Sequence, residues 1–194
     1  MISADQIKEL REKTGAGISD IKKALEESGG DMGRALETIE RKLGSSATKR
    51  SGRETGAGLI DAYVHANGKI GVLMELFCET DFVARNPAFK ELAHDLALQI
   101  AAMNPLYLSI EAVPQEVLQA EKSRAEAEVR KMRKPSHITE EIVEGKIKAY
   151  FGPASLLSQP FVKDQNKSVQ DIVNEAIGRF GENIKVGRFF RLEL

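Results

Sequence analysis

The sequence has one cysteine, Cys78, no tryptophan and three histidines in 194 residues. A single thiol excludes an intramolecular disulfide, and three scattered histidines assemble no zinc spacing, so no metal and no cofactor are expected. Charge of one sign is also missing, since 28 Lys and Arg stand against 29 Asp and Glu. Without a basic excess to meet phosphates, direct nucleic-acid binding is disfavoured and a protein partner favoured. No apolar run approaches the roughly 20 residues of a membrane span. Met1-Ile2-Ser3-Ala4-Asp5 shows no basic segment leading into an apolar one. The expectation is a cytoplasmic chain, mature as written, with no membrane partner.

What is present is enough for a globular core: 42% of the residues are hydrophobic. Residues 3 to 43 read as three short helices. Ser3-Ala4-Asp5-Gln6 is a capping-box pattern before Ile7 and Leu10, and Thr14-Gly15-Ala16-Gly17 stops that helix. Ile18, Ile21 and Leu25 recur at helical spacing up to Gly29-Gly30, and Asp31 caps a third helix carrying Met32, Ala35, Leu36, Ile39 and Leu43. Residues 1–43 are therefore expected to form a compact three-helix domain, suited by its small size to docking on a partner. The small, polar and basic stretch Gly44 to Gly52 reads as a flexible linker, taken as 44–54, before a second domain over 55–194. Thr-Gly-Ala-Gly occurs at 14–17 and 55–58, but neither copy completes a phosphate-loop or dinucleotide fingerprint, so turn glycines are the better reading.

The second domain reads as α+β. Ile60, Ala62 and Val64 alternate with Asp61, Tyr63 and His65; Asn67-Gly68 supplies a two-residue hairpin turn; and Ile70, Val72, Met74, Leu76 and Cys78 alternate again. On that stripe Cys78 is a small buried hydrophobe rather than a reactive thiol. Asn86-Pro87 starts a helix whose apolar face is Phe89, Leu92, Ala93, Leu96, Ala97 and Ile100, with His94 off the stripe and facing solvent. A second helix spans Pro114 to Lys134, with a solvated mixed-charge face, and Pro135 stops it. A third, capped near Ser136 or Thr139, carries Ile142, Val143, Ile147 and Phe151; a fourth runs from Ser168 to Phe180; Ile184 to Leu192 is a last strand. The result is a small antiparallel sheet, three-stranded, with helices on one face. A sheet this small leaves edges and an incompletely covered face, which homodimerisation would cover.

Phe82, in CETDFVARNP, stands apart. By composition, an aromatic at a strand-to-helix junction belongs to the core more often than not. Against that, Phe89, Leu92 and Leu96 already fill the helix's apolar face, and Asp81 and Arg85 beside Phe82 suit a water-facing turn.

Five segments in order resemble one family, bacterial translation elongation factor Ts. LREKTGAGISDIKKALEESGGDMGRALE is similar to its ubiquitin-associated-type three-helix domain, and CETDFVARN, EIVEGKIKAYF, QPFVKDQNKSV and GENIKVGRFFR are similar to its core signatures. The resemblance implies a guanine-nucleotide exchange factor that binds elongation factor Tu carrying GDP, speeds GDP release and is displaced by GTP. It makes no covalent bond, so no catalytic residues are expected. Thr80, Asp81, Phe82 and Val83 fall on the family segment that dislodges the partner's magnesium ion, with the aromatic entering a pocket between partner helices. Ile18, Ser19 and Lys23 match the family's first-domain docking positions, although Ile18 and Ser19 depart from the methionines common there. His65, Val162, Lys163, Phe180 and Gly181 match further contact positions. Longer members resemble two copies of the sheet module with an antiparallel helical hairpin; this chain has one sheet module, and such short members are expected to pair as homodimers. Along an extended strand His65 and Phe82 stand on the order of 30 Å apart, too far to serve one pocket. Two other classes of function compete: a dimeric protein-binding adaptor without exchange activity, and a small nucleotide-using enzyme resting on the glycine pairs alone.

Overall fold

The computed structural model describes residues 2–130 and 135–194. Helix α1 (Ala4–Thr14) opens with the expected capping box, in which Ser3 Oγ accepts from the Gln6 amide and Gln6 Oε1 accepts from the Ser3 amide. It ends at Gly15, whose φ of 66° favours a residue without Cβ. Helix α2 (Ile18–Glu27) follows, then α3 (Met32–Arg50), capped by Asp31 accepting from the Arg34 amide. Leu10, Ile21, Leu25, Ala35, Ile39 and Leu43 close a core among these three helices.

One expectation is corrected here. Residues 44–50, read as flexible linker, are the last turns of α3. The reason is that Ala35, Ile39, Leu43 and Ala47 form one stripe at four-residue spacing, and Ala47 is buried in the larger core beyond. The connection that remains, 51–56, is short.

Downstream the chain forms β1 (Ala57–Val64), β2 (Ile70–Cys78), the single-turn α4 (Asp81–Ala84), α5 (Pro87–Met103), α6 (Gln115–Arg130) and α7 (Ser136–Phe151). It finishes with β3 (Pro160–Phe161), β4 (Asp164–Ser168), α8 (Val169–Phe180) and β5 (Lys185–Glu193). The fold is α+β, with an antiparallel three-stranded sheet in the order β1-β2-β5. Leu59 pairs with Leu76 and Tyr63 with Val72, and these residues face the helices. Phe89, Leu92, Leu96 and Ile100 of α5 and Val169, Val173 and Ile177 of α8 complete that core. Among the described residues none covers the other sheet face, where Ile60, Val64, Leu73, Phe190 and Leu192 are all more than half exposed.

Three details differ from the sequence reading. The β1–β2 register is centred on Asn67-Gly68, as a two-residue turn would require, but the ladder stops at Val64 and Gly71. The His65 carbonyl accepts from the Gly68 amide at 2.7 Å and Asn67 Oδ1 accepts from the Lys69 amide at 3.0 Å, so a wider loop forms with Gly68 alone at positive φ. Helix α7 follows Pro135 without a side-chain cap, and the Thr139 hydroxyl instead donates back to the Pro135 carbonyl. The expected end of α6 at Lys134 lies outside the described residues. The β3–β4 hairpin was not anticipated; buried Gln99 of α5 holds it, donating to the Pro160 carbonyl and accepting from the Val162 amide at 2.8 Å.

Helices α6 and α7 pack as a pair, with Ala125, Val129 and Val143 as a small separate core and a charged exterior that includes a Lys146–Glu128 ion pair.

Gly58 gives a direct test of the sheet. It sits at φ 155°, and a Cβ there would run into the Leu76 carbonyl oxygen of the neighbouring strand. Gly58→Ala is expected to destabilise the protein by about 1–3 kcal/mol, read as a lower denaturant midpoint at unchanged slope.

Candidate functional site

The turn carrying Phe82 begins where β2 ends. Cys78 is fully buried and its thiol donates to the Thr80 carbonyl at 3.2 Å. Burial pushes that thiol's pKa up, and the charge of Glu182 adds to the effect, so Cys78 is an anchor rather than a nucleophile. The chain then makes four helical residues, Asp81–Ala84, of which Ala84 points inward and Phe82 outward. Phe82 is 89% exposed, whereas Phe89, seven residues on, is 0% exposed. Phe89 is the core aromatic of this junction and leaves Phe82 free of it.

No side chain caps α4. The Asp81 carboxylate lies 3.8 Å from Arg85 in an exposed pair, and the Thr80 hydroxyl turns away from the helix. It donates to Glu182 Oε1 at 2.6 Å, while Glu182 Oε2 accepts from the Glu79 amide at 3.1 Å and the Thr80 amide at 3.0 Å. The contact is reciprocal: the Glu79 carboxylate accepts from the Asn183 amide at 2.6 Å. That bond, helped by Arg53 nearby, holds the Glu79 carboxyl below the usual carboxylate range. Asn183, itself buried, donates its side-chain amide to the Ser51 and Arg53 carbonyls at 3.3 and 2.7 Å.

The remaining candidate residues fall into separate groups. Phe180 and Gly181 adjoin the turn: Phe180 is half-buried edge-on against Phe89, and Gly181, at φ 72°, ends α8 so that Glu182 points back to Thr80. Ile18, Ser19 and Lys23 lie exposed on α2. His65 is at the opposite end of the β1–β2 hairpin, its Nδ1 3.0 Å from the Tyr63 hydroxyl. Val162 and Lys163 occupy the β3–β4 turn, where Lys163 pairs with Asp95 of α5 at 2.6 Å.

Sequence reasoning missed Glu182, Asn183 and Glu79, because their partners are about a hundred residues away and no local periodicity marks them. His94 faces solvent, as expected, but has neighbours that the sequence did not indicate. His94 is half-exposed, lies 3.3 Å from Asp61 and meets the Tyr63 ring edge-on.

Among the described residues, no three His, Cys, Asp or Glu side chains are grouped to hold a metal ion, and no helix is long and apolar enough to cross a membrane. What this arrangement offers is an exposed aromatic on a turn clamped by Glu182.

Residues 4–194 match the family model described as Elongation factor TS. The chain is similar to elongation factor Ts of Thermotoga petrophila, with 54% identity over 193 residues that cover 100% of this chain and 96% of the relative. It is 48% identical to that of Syntrophomonas wolfei over 194 residues, 100% of this chain and 91% of the relative. With that of Rubrobacter xylanophilus it shares 49% over 190 residues, 98% and 97% of the two chains.

The two aromatics of the junction are expected to respond oppositely to truncation. Phe89→Ala empties a core site and lowers stability by about 3–5 kcal/mol. Phe82→Ala removes only exposed surface and changes stability by less than about 0.5 kcal/mol. Chemical denaturation of both variants checks the contrast.

Proposed function

This chain belongs to the elongation factor Ts family, and from that premise we propose how it performs the family's work as a guanine-nucleotide exchange factor for elongation factor Tu. The family's role in translation elongation is exchange, not covalent catalysis. In our reading the turn Thr80–Val83 enters the nucleotide-binding domain of elongation factor Tu carrying GDP. Phe82 occupies an apolar pocket between two partner helices, and the disturbance dislodges the magnesium ion. That ion bridges protein and phosphate oxygens and neutralises their charge, so its loss loosens GDP. Rebinding of a nucleotide, GTP when it is abundant, expels the factor. By linkage, the factor weakens GDP binding by the same ratio by which it prefers the nucleotide-free partner.

The observation that carries this reading is the exposure of Phe82 above a core already filled by Phe89. Burying an aromatic of this size in a partner contributes about 2 kcal/mol or more, enough to offset part of the disturbance it causes. The three-helix unit, a ubiquitin-associated-type domain in this reading, docks through Ile18, Ser19 and Lys23. Val162, Lys163, Phe180 and Gly181 add contacts on the core. His65 sits at the far end of the hairpin, so one partner molecule meets Phe82 of one subunit and His65 either on a distant surface or on the other subunit.

Homodimerisation completes the proposal. The uncovered sheet face carries Ile60, Val64, Leu73, Phe190 and Leu192, with a Glu75–Arg188 ion pair among them, and the Arg188 guanidinium keeps the Glu75 carboxyl below its usual range. Contiguous exposed apolar surface of this kind marks an association site, and a second copy presents the same chemistry in return. The factor works in the cytoplasm, where its partner does, with neither nucleic acid nor membrane as a direct ligand.

Release of a fluorescent GDP from elongation factor Tu tests the exchange mechanism. Wild-type protein accelerates release at substoichiometric amounts, and Phe82→Ala lowers the catalysed rate at least about tenfold. Binding without acceleration would mark an adaptor instead. Light scattering tests the dimer: twice the chain mass is expected at micromolar concentration, and Leu73→Glu should return one chain mass, since burying an unpaired carboxylate in the interface is unfavourable.

A further inference from the structure

We infer that Glu182 is a positioning residue for exchange: its carboxylate fixes the direction in which the turn at Thr80–Val83 presents Phe82. The inference rests on the reading of Phe82 given above and adds a residue that this reading does not use.

A four-residue helix cannot hold its own geometry, because nucleating one turn fixes several dihedrals for very few hydrogen bonds. Helix α4 rests on few backbone bonds: the Thr80 carbonyl accepts from the Ala84 amide at 3.2 Å, the Asp81 carbonyl from the Arg85 amide at 3.0 Å and the Val83 carbonyl from the Asn86 amide at 2.9 Å. It has no side-chain cap, and Phe82, pointing to solvent, adds no packing. Its far end is secured by buried Ala84 and by Asn86, whose side chain accepts from the Ala88 amide to start α5. Its near end is secured from outside. Glu182 takes two backbone amides and one hydroxyl from Glu79 and Thr80, saturating the residues just before the turn. Hydrogen bonds to an ionised acceptor are the strong ones, and three on one carboxylate fix both position and rotation.

The returning bond from the Asn183 amide to the Glu79 carboxylate locks the two segments against sliding. Asn183 in turn grips the Ser51 and Arg53 carbonyls just beyond α3. The clamp therefore ties the presented aromatic to the end of α8 and to the exit of the three-helix unit, the two bodies that must meet the partner together. Holding Phe82 in place beforehand removes the entropy of ordering it during exchange. Loss of the clamp leaves docking intact and slows the step in which Phe82 enters.

The test measures GDP release from elongation factor Tu as a function of factor concentration for wild type, Glu182→Ala, Glu182→Gln, Phe82→Ala and the Glu182→Ala/Phe82→Ala double variant. Glu182→Ala is expected to lower the maximal rate about tenfold, with the half-saturating concentration changed by less than about twofold. Glu182→Gln keeps an acceptor oxygen and recovers most of the rate. The double variant is no slower than Phe82→Ala alone, since Glu182 acts through Phe82. Should Glu182→Ala fail to fold, Thr80→Val removes only the hydroxyl donor and is expected to show a smaller loss of the same kind. A slow Phe82→Ala with Glu182→Ala (or, if that variant does not fold, Thr80→Val) at the wild-type rate overturns this inference alone. Losses that multiply in the double variant overturn it too, because Glu182 would then act elsewhere. A wild-type rate for Phe82→Ala removes the reading beneath it and this inference with it.

Discussion

The crossing of α3 over α8 is the contact on which the rest of the molecule depends. Gly178 of α8 lies where Leu43 of α3 crosses, and any side chain at 178 would collide with that leucine. Because the helices approach this closely, Ala47, one turn further along α3, reaches the large core and joins two hydrophobic cores through a single helix. The three-helix unit is held at two more points, where Arg179 of α8 lies against Gly15 and Lys167 of β4 reaches Glu40 at 3.2 Å. Lys167 also pairs with Glu175, whose carboxyl burial pushes up from its ordinary value. With α8 fixed in this way, its C-terminal Gly181 aims Glu182 and Asn183 at the turn of Phe82.

A second consequence concerns the sheet. Both α5 and α8 are used on one face, and α6 and α7 pack on each other around Ala125, Val129 and Val143 rather than on the other face. The apolar residues left outside are therefore of two kinds. Those on the sheet form a broad patch on mutually paired strands, as suits the extended interface proposed above. Phe82 is single, on a turn flanked by charge, as suits insertion into a pocket. On the proposed reading, the difference in backbone underneath separates the association surface from the probe.

Much of this was legible in the sequence where the signal was local. Caps at Ser3, Asp31 and Asn86, the stripes of α5 and α8, and the alternation of β2 each follow from local pattern over a few residues. The extension of α3 was legible too, in the spacing of Leu43 and Ala47, but the small polar residues between them masked it. What was not legible depends on distant segments. Gln99 holding β3–β4 and Glu182 holding Thr80 are polar residues whose roles exist only once the chain is folded. Phe82 shows the same limit from the other side. Local chemistry favours burial for an aromatic at such a junction, and only the complete filling of the core by Phe89 leaves it outside.

An exchange factor has no transition state of its own to stabilise, so its effectiveness depends on how little free energy it loses to its own rearrangement. Every residue it must order on contact weakens the coupling it can impose on the nucleotide. On the proposed reading, this is why the exposed aromatic Phe82 sits on a turn held by Glu182 at Glu79 and Thr80. Cys78 and Ala84 anchor the turn below, Glu182 clamps it in front and Asn86 fixes the helix behind. Exposure and rigidity, which usually oppose each other in a loop, are reconciled by spending long-range hydrogen bonds on a four-residue element.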